Sequence, residues 1–171
     1  KKISTIQNKS FELSLLFSVP ASFGLIIAAE EIVNALFGYG SFSLSDVEMT
    51  ALALKFFGYG VPAFALIKVL SNFFFARNNT KKPFYISVII VLLNIFISVS
   101  FFNKVGFIII PIATSISTWI GVFVYLYLLN MNNFLLLKSE TLINFTKLLF
   151  SSIIMSTICL LYTSPSPRDN R

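Results

Sequence analysis

The chain has 171 residues, of which 56% are hydrophobic, 20 are Phe and only 12% are charged, and its formal net charge is +6. Soluble domains are usually about 45–50% apolar and about 25% charged, so this chain has too few polar side chains to cover a surface that faces water. The composition excludes an ordinary soluble enzyme and indicates a protein that lies in lipid. The sequence has no His and a single Cys, which excludes a His-based metal site, a catalytic triad, an internal disulfide and a Cys-rich zinc site. We therefore expect no metal and no cofactor.

The net positive charge is typical of a membrane protein whose basic loops lie in the cytoplasm. The sequence has no basic stripe with interleaved aromatic residues, which is the pattern of a nucleic-acid-binding surface. We therefore expect contacts with membrane lipids and none with nucleic acid.

Five apolar segments predict an all-α, polytopic helical membrane protein. A helix needs about 20 apolar residues to cross the ~30 Å hydrocarbon core, and the short connections between the segments make neighbouring helices antiparallel. Residues 1–12 are predicted to be a cytoplasmic linker, and residues 13–158 to be the transmembrane region. The predicted spans lie near residues 13–37, 50–76, 84–102, 105–129 and 142–158.

Basic residues alternate between the ends of these segments, and the alternation predicts their orientation. The region before the first span and the second and fourth connections are rich in Lys and Arg, whereas the first connection has none and the third has only Lys104. Because cytoplasmic loops are enriched in Lys and Arg, we expect the N-terminus in the cytoplasm. The residues on that side are Lys1, Lys2, Lys9, Arg77, Lys81, Lys82, Lys138 and Lys147.

The second segment carries a predicted helix break at Gly58, Gly60 and Pro62. Proline removes a backbone donor and clashes with the preceding turn. Carbonyls freed at membrane depth are tolerated only against other helices or a wet cavity, and broken helices are frequent in transporters. Two interpretations stay open, a break that lines a binding cavity and a kinked helix that only packs against its neighbours.

Three polar residues inside the predicted spans are candidates for a cavity or substrate site. A lysine at the bilayer centre costs at least ~2.5–3.5 kcal/mol on insertion scales. Lys55 is close enough to its helix end to extend towards the interface, whereas Lys68 is further from its own end and is the stronger candidate for a cation that faces a phosphate. Snorkelling or pairing with a carbonyl is the alternative for Lys68. Asn94, midway along the third segment, is either part of the cavity or hydrogen-bonded to a neighbouring helix.

Small residues recur along the fourth segment at Ala113, Ser117 and Gly121. Their spacing of four residues places them on one helical face, which lets helices approach closely. We interpret this face as a packing surface, not as a binding site.

The last residues, 159–171, differ from the rest of the chain. They begin with Cys159 and resemble a translated sequencing-adapter read-through, with two prolines that end an apolar helix abruptly. We expect this tail to be non-native, and the natural chain to continue beyond Ile158.

Several motifs resemble the MurJ/MviN family of lipid II flippases. Residues 36–42 read LFGYGSF, followed by an Asp and by a Thr-Ala pair, and residues 60–64 read GVPAF. Residues 73–83 read FFFARNNTKKP, where the family commonly has Phe-Tyr-Ala-Arg-x-Asp-Thr-Lys-x-Pro. The family's Tyr is Phe75 here, and its Asp is Asn79. The resemblance is strong over residues 13–83 and mainly hydropathic from 84 to 158.

The resemblance implies the C-terminal part of a larger flippase, with two helical lobes around a central cavity that opens alternately to the two membrane faces. It implies that the partners are the undecaprenyl-pyrophosphate-linked peptidoglycan precursor and the missing N-terminal lobe, that the location is the bacterial cytoplasmic membrane, and that the activity is transport and not enzymatic catalysis. It assigns a cytoplasmic motif to Arg77, Thr80, Lys81 and Pro83.

Two other functions stay open. The first is a different transporter on the same fold, either a flippase for another lipid-linked oligosaccharide or a drug or cation antiporter. An antiporter usually places a carboxylate in the middle of the membrane, and none of the five segments has one there. The second is a membrane scaffold that transports nothing.

Overall fold

The computed structural model describes residues 2–40, 42–132 and 139–163. They form an all-α structure, which confirms the predicted fold class. Within these described residues, six α-helices and one 3₁₀ turn follow one another. Their bounds are α1 Lys2–Ile27, α2 Ala29–Phe37, α3 Leu44–Phe75, α4 Lys81–Val105, the 3₁₀ turn Gly106–Ile108, α5 Ile109–Met131 and α6 Ser139–Thr163.

Three stretches of the described residues are long and apolar enough to cross a membrane. They are Thr5–Ile27, Leu44–Phe75 and Lys81–Met131, and the last of them contains both α4 and α5. A shorter apolar stretch covers Ile143–Cys159. The chain is therefore a multi-pass membrane protein.

The first predicted span differs from the structure at both ends. Residues 2–12, predicted to be a linker, belong to α1, because the polar side chains of Gln7 and Asn8 are buried and the Oγ1 of Thr141 in α6 donates to Asn8 Oδ1 at 3.2 Å. Residues 13–37 are not one helix, since a bend at Ala28 separates α1 from α2.

The second span begins earlier than predicted, at Leu44 instead of residue 50. A capping box explains the difference. The Asp46 amide donates to Ser43 Oγ at 3.3 Å, and the Ser43 amide donates to the Asp46 carboxylate at 3.0 Å. Each side chain satisfies a backbone donor that the first helical turn leaves without a partner.

Hydrogen-bonded pairs define how the helices run. Along α4 and α5, Lys82 pairs with Asn132 and Asn94 with Thr114, so the residue number falls on α5 as it rises on α4, and the two helices are antiparallel. In the other pairs the residue numbers of both partners increase in the same direction, so the helices are parallel. The pairs Phe56–Ser115 and Tyr59–Trp119 make α3 parallel to α5, and the pairs Asn8–Thr141 and Glu12–Asn144 make α1 parallel to α6.

One core cluster joins α1, α3, α4 and α5, and α6 packs against it. It contains Leu15 from the first half of α1, Leu70 and Phe73 from the second half of α3, and Leu129 from the end of α5, and Phe145 of α6 packs against it. The start of α1 and α6 therefore lies at the same end of the bundle as the end of α3 and α5. We call this end, with Lys9, Arg77, Lys81, Lys82 and Lys147, the basic end.

Candidate functional site

The break in α3 is bridged by a side chain from α1. Pro62 has no amide hydrogen, so the carbonyl of Gly58, four residues earlier, loses the donor that a regular helix would supply. The Oγ of Ser22 donates to this carbonyl at 2.7 Å, and Ser22 is buried. The helix itself is not interrupted, because α3 runs from Leu44 through Pro62 to Phe75. The break is therefore limited to the one backbone hydrogen bond that Pro62 cannot make.

Two side chains of α5 bind further carbonyls of the same stretch. The indole Nε1 of Trp119 donates to the Tyr59 carbonyl at 3.0 Å, and the Oγ of Ser115 donates to the Phe56 carbonyl at 2.6 Å. Three carbonyls around Pro62 thus accept hydrogen bonds from neighbouring helices, and the one that has lost its helical donor, that of Gly58, is among them, as a backbone group at membrane depth requires.

Both glycines of the break lie where a side chain would collide with a neighbour. A Cβ on Gly58 would lie 2.8 Å from Ile26 Cγ1 of α1, and one on Gly60 would lie 2.7 Å from Ser115 Oγ of α5. The missing side chains let α1 and α5 reach the carbonyls of α3. Gly58 and Gly60 therefore take part in packing against neighbouring helices.

An apolar cavity of about 530 Å³ borders the same break. Its wall includes Tyr59 and Pro62 from α3, Trp119 from α5, and residues of α1 and α6. The wall also contains Ser22, so the open volume lies directly beside the hydrogen bond that Ser22 makes to Gly58.

The lysines of α3 do not form one site. Lys55 and Lys68 are 13 residues apart, which is ~20 Å along a helix, and they point in different directions. Lys55 is half-buried, whereas Lys68 is exposed.

Lys68 lies on an aromatic face of α3 that the other helices leave uncovered. Phe57, Phe64 and Phe75 are exposed by 39%, 39% and 46%, and their spacings from Lys68 place all three on its side of the helix. Lys68 therefore lies on the same exposed face of α3 as these three aromatic side chains.

The structure places Asn94 in an interhelical hydrogen bond. Its Nδ2 donates to the Oγ1 of Thr114 at 2.8 Å, and the Oγ of Ser98 donates to its Oδ1 at 3.3 Å. Asn94 is thus part of the contact between α4 and α5 and is not brought together with either lysine.

The predicted packing face on α5 is confirmed. Ala113 and Ser117 are fully buried, and Gly121 is buried against side chains of α3 and α4.

The predicted cytoplasmic motif forms the turn between α3 and α4. Asn78 has a φ of 55°, a left-handed conformation that Asn tolerates better than most residues. The Asn79 side chain accepts the Lys82 amide at 3.4 Å, which caps the start of α4. The chain reverses at residues 76–80, whereas Lys81 and Pro83 of the motif already belong to α4.

Four residues of this motif were predicted as functional. Arg77 is exposed, and its Nη1 contacts the Phe73 carbonyl at 3.5 Å. Thr80, Lys81 and Pro83 line a cavity of about 630 Å³ between α3, α4 and α5, and Pro83 is buried.

Sequence reasoning missed the residues that serve the break, namely Ser22, Ser115 and Trp119. Each lies 36 to 60 residues from its acceptor, so local patterns give no signal for the pairing. A polar residue on an otherwise apolar span was the available sign, and it does not identify a partner. In the part of the chain that the structure describes, no group of three or more His, Cys, Asp or Glu residues is placed to bind a metal.

Comparison with known proteins decides the family. The profile of the family described as "Lipid II flippase MurJ" matches residues 1–168. The chain belongs to the MurJ family of lipid II flippases.

Individual MurJ relatives support the assignment. The chain is 36% identical to a probable lipid II flippase MurJ of Rickettsia prowazekii over 114 residues, which are 67% of the chain and 22% of that relative. It is 32% identical to the lipid II flippase MurJ of Thermosipho africanus over 148 residues, or 86% of the chain and 30% of that relative.

A solved structure shows the same fold. A lipid II flippase MurJ in an inward closed conformation superposes with a TM-score of 0.83 at 29% identity, over 96% of this chain and 34% of that one. The chain therefore spans about a quarter to a third of the length of these relatives. The family and the apolar helices together indicate a multi-pass protein of the bacterial inner membrane.

Proposed function

We propose that the full-length protein moves lipid II, the undecaprenyl-pyrophosphate-linked peptidoglycan precursor, across the cytoplasmic membrane for cell-wall synthesis. The observation that carries the proposal is the match of nearly the whole described fold to a MurJ structure at a TM-score of 0.83. The described helices form part of the transporter, and an N-terminal lobe of the same protein completes it.

The physical task explains why such a protein is needed. A pyrophosphate and its sugars lose their hydration in hydrocarbon, and an unpaired buried charge costs many kcal/mol. A cavity lined by cations replaces that hydration, and alternating access then exposes the cavity to each membrane face in turn. No covalent bond has to form or break, so we propose a transporter and not an enzyme.

We propose that the basic end of the bundle lies in the cytoplasm. The pairs that set the helix directions place Lys9 of α1, Arg77, Lys82 of α4 and Lys147 of α6 at one end. The opposite end carries Asp46 and Glu48 at the start of α3. This charge asymmetry matches the enrichment of Lys and Arg on the cytoplasmic side.

We propose that Lys68 faces the transport cavity. Its aromatic face is uncovered in the described bundle, and its position, seven residues before Phe75, is ~10 Å from the end of α3. A cation at that depth is costly unless water or an anionic group meets it, and the pyrophosphate of the substrate supplies such a group. Lys55 and Asn94, which point elsewhere, are weaker candidates for substrate contact.

Complementation tests the proposed function. The full-length protein is expressed in a bacterium depleted of its own lipid II flippase, and growth is expected to be restored. Lys68→Ala should lower the rescue at least tenfold in plating efficiency, and Lys68→Arg should retain it. Lys55→Ala is the matched control on the same helix. A full-length protein that accumulates in the membrane and gives no rescue would contradict the proposal.

A further inference from the structure

The break in α3 is held by hydrogen bonds that come from two other helices. Ser22 of α1 donates to the Gly58 carbonyl at 2.7 Å, and Trp119 of α5 donates to the Tyr59 carbonyl at 3.0 Å. A backbone hydrogen bond within a helix moves with that helix. These two bonds instead depend on the position of α3 relative to its neighbours, so they break when α3 moves away from α1 or α5.

The packing around the break is unequal. Gly58 and Gly60 press against Ile26 of α1 and Ser115 of α5, where no side chain fits. Pro62 and Tyr59 border the apolar cavity of about 530 Å³. The wall of this cavity also contains Ser22 and Trp119, so the open volume into which α3 can bend lies beside the two hydrogen bonds.

We propose that α3 flexes at Pro62 during transport, and that Ser22 and Trp119 are positioning residues that hold one of its two conformations. The inference rests on the proposed function, because it assigns a step of the transport cycle. Helix kinks have identifiable causes such as proline, and here the donor that proline removes is replaced by one that detaches. The two bonds form in the conformation described here and break in the other one.

Substitution of Pro62 tests whether bending of α3 is needed for transport or whether Pro62 only affects packing. Pro62→Ala restores an amide hydrogen that can donate to the Gly58 carbonyl, so the helix becomes regular and stiffer. In the full-length protein we expect an unchanged or higher midpoint of thermal unfolding and at least a tenfold loss of lipid II translocation. Pro20→Ala, which removes the proline inside α1, is the matched control and should leave translocation within twofold of wild type.

A second substitution tests the role of Ser22. Ser22→Ala alone leaves the Gly58 carbonyl without its side-chain donor, and we expect a lower unfolding midpoint. In the Pro62→Ala background the same substitution should have no effect on the midpoint, because the restored amide supplies the donor, while translocation stays at least tenfold reduced. Ser22→Thr, which keeps the hydroxyl, should behave like wild type.

The outcomes distinguish this inference from the proposed function. A wild-type protein that does not translocate lipid II contradicts the proposed function. A wild-type protein that translocates lipid II, together with a Pro62→Ala variant of equal activity, overturns the flexing of α3 and leaves the function intact. Equal losses in Pro20→Ala and Pro62→Ala would also overturn it, because the effect would not be specific to α3.

If the Pro62→Ala variant does not reach the membrane in folded form, a distance measurement on the otherwise wild-type protein tests the same proposal. Spin labels at Glu48 and Ala76, which are exposed at the two ends of α3, lie ~42 Å apart along a regular helix. In the otherwise wild-type protein, the distance distribution is expected to shift by several ångström when lipid II is added to the reconstituted transporter. A distribution that stays the same with and without lipid II overturns the proposal.

Discussion

The Lys82 ammonium donates to the Oδ1 of Asn132 at 2.9 Å and so joins the first turn of α4 to the end of α5. The same ammonium lies 5.8 Å from the centre of the Phe74 ring, and the Phe74 ring is 5.9 Å from that of Tyr125. One lysine thus connects three helices at the basic end. Lys82 is half-buried, and neighbouring Lys81 is exposed.

This difference predicts unequal effects of two adjacent substitutions. Lys82→Met removes a charged hydrogen bond and a cation–π contact while keeping the apolar stem, and it should lower the free energy of unfolding by about 1–2 kcal/mol. Lys81→Met should change it by less than about 0.5 kcal/mol. Denaturant unfolding of the full-length protein in detergent measures both. Equal effects at the two positions would show that the contact with Asn132 contributes nothing.

The Asn94–Thr114 pair predicts a measurable coupling between α4 and α5. Asn94→Ala and Thr114→Ala should each destabilise the protein, and the double variant should destabilise it by less than their sum. The coupling energy expected for a hydrogen bond between membrane helices is about 0.6–1.7 kcal/mol. A double-mutant cycle on unfolding free energies gives the value, and strictly additive effects would argue against the bond.

Substitution of Gly by Ala is expected to change the free energy of unfolding in opposite directions at two helical glycines, Gly60 and Gly24. Ala at Gly60 would put a Cβ 2.7 Å from Ser115 Oγ, and that hydroxyl is already engaged with the Phe56 carbonyl. Gly60→Ala should therefore cost about 1–3 kcal/mol through overpacking. Gly24 has nothing within 4 Å of its Cβ position, so Gly24→Ala should be neutral or stabilise by up to about 1 kcal/mol. Unfolding midpoints that fall equally for both would contradict the close approach of α3 and α5.

The N-terminal caps of α3 and α4 differ, so removing the two cap side chains should have different effects on stability. Ser43 takes part in a complete capping box, whereas the Thr80 side chain makes no cap hydrogen bond. Ser43→Ala should cost about 1 kcal/mol, and Thr80→Ala should cost no more than a few tenths because the Asn79 side chain fills that role. Thermal unfolding compares them, and a larger loss for Thr80→Ala would reject the assignment of the caps.

The sequence predicted the helical elements well because membrane spans are defined by composition over about 20 residues. It also predicted the packing face that contains Ser117, since this depends on neighbours along the same helix. The connection predicted for residues 77–83 is too long by three residues, because α4 begins at Lys81. The start of α1 was mispredicted because Gln7 and Asn8 look like linker residues until α6 is known to cover them. Such a contact joins residues more than 130 positions apart, and no local pattern contains it.

The candidate site was only partly predictable for the same reason. Pro62 and its glycines were found because proline has a fixed effect on a helix. Whether the carbonyls near Pro62 have hydrogen-bond donors depends on side chains of other helices. The sequence does not show which carbonyls Ser22, Ser115 and Trp119 bind. Asn94 could be read as a cavity residue or as a helix contact, and the hydrogen bond with Thr114 shows the second role.

Detection of lipid II on the external face of the cytoplasmic membrane tests most directly whether the full-length protein translocates lipid II. In cells whose only lipid II flippase is the full-length protein, an externally added enzyme that cleaves lipid II reports how much precursor has crossed. We expect cleavage comparable to that in cells with their own flippase, and a strong reduction for Lys68→Ala at equal protein level. Uncleaved precursor that accumulates on the cytoplasmic side, with the wild-type protein present in the membrane, would contradict it.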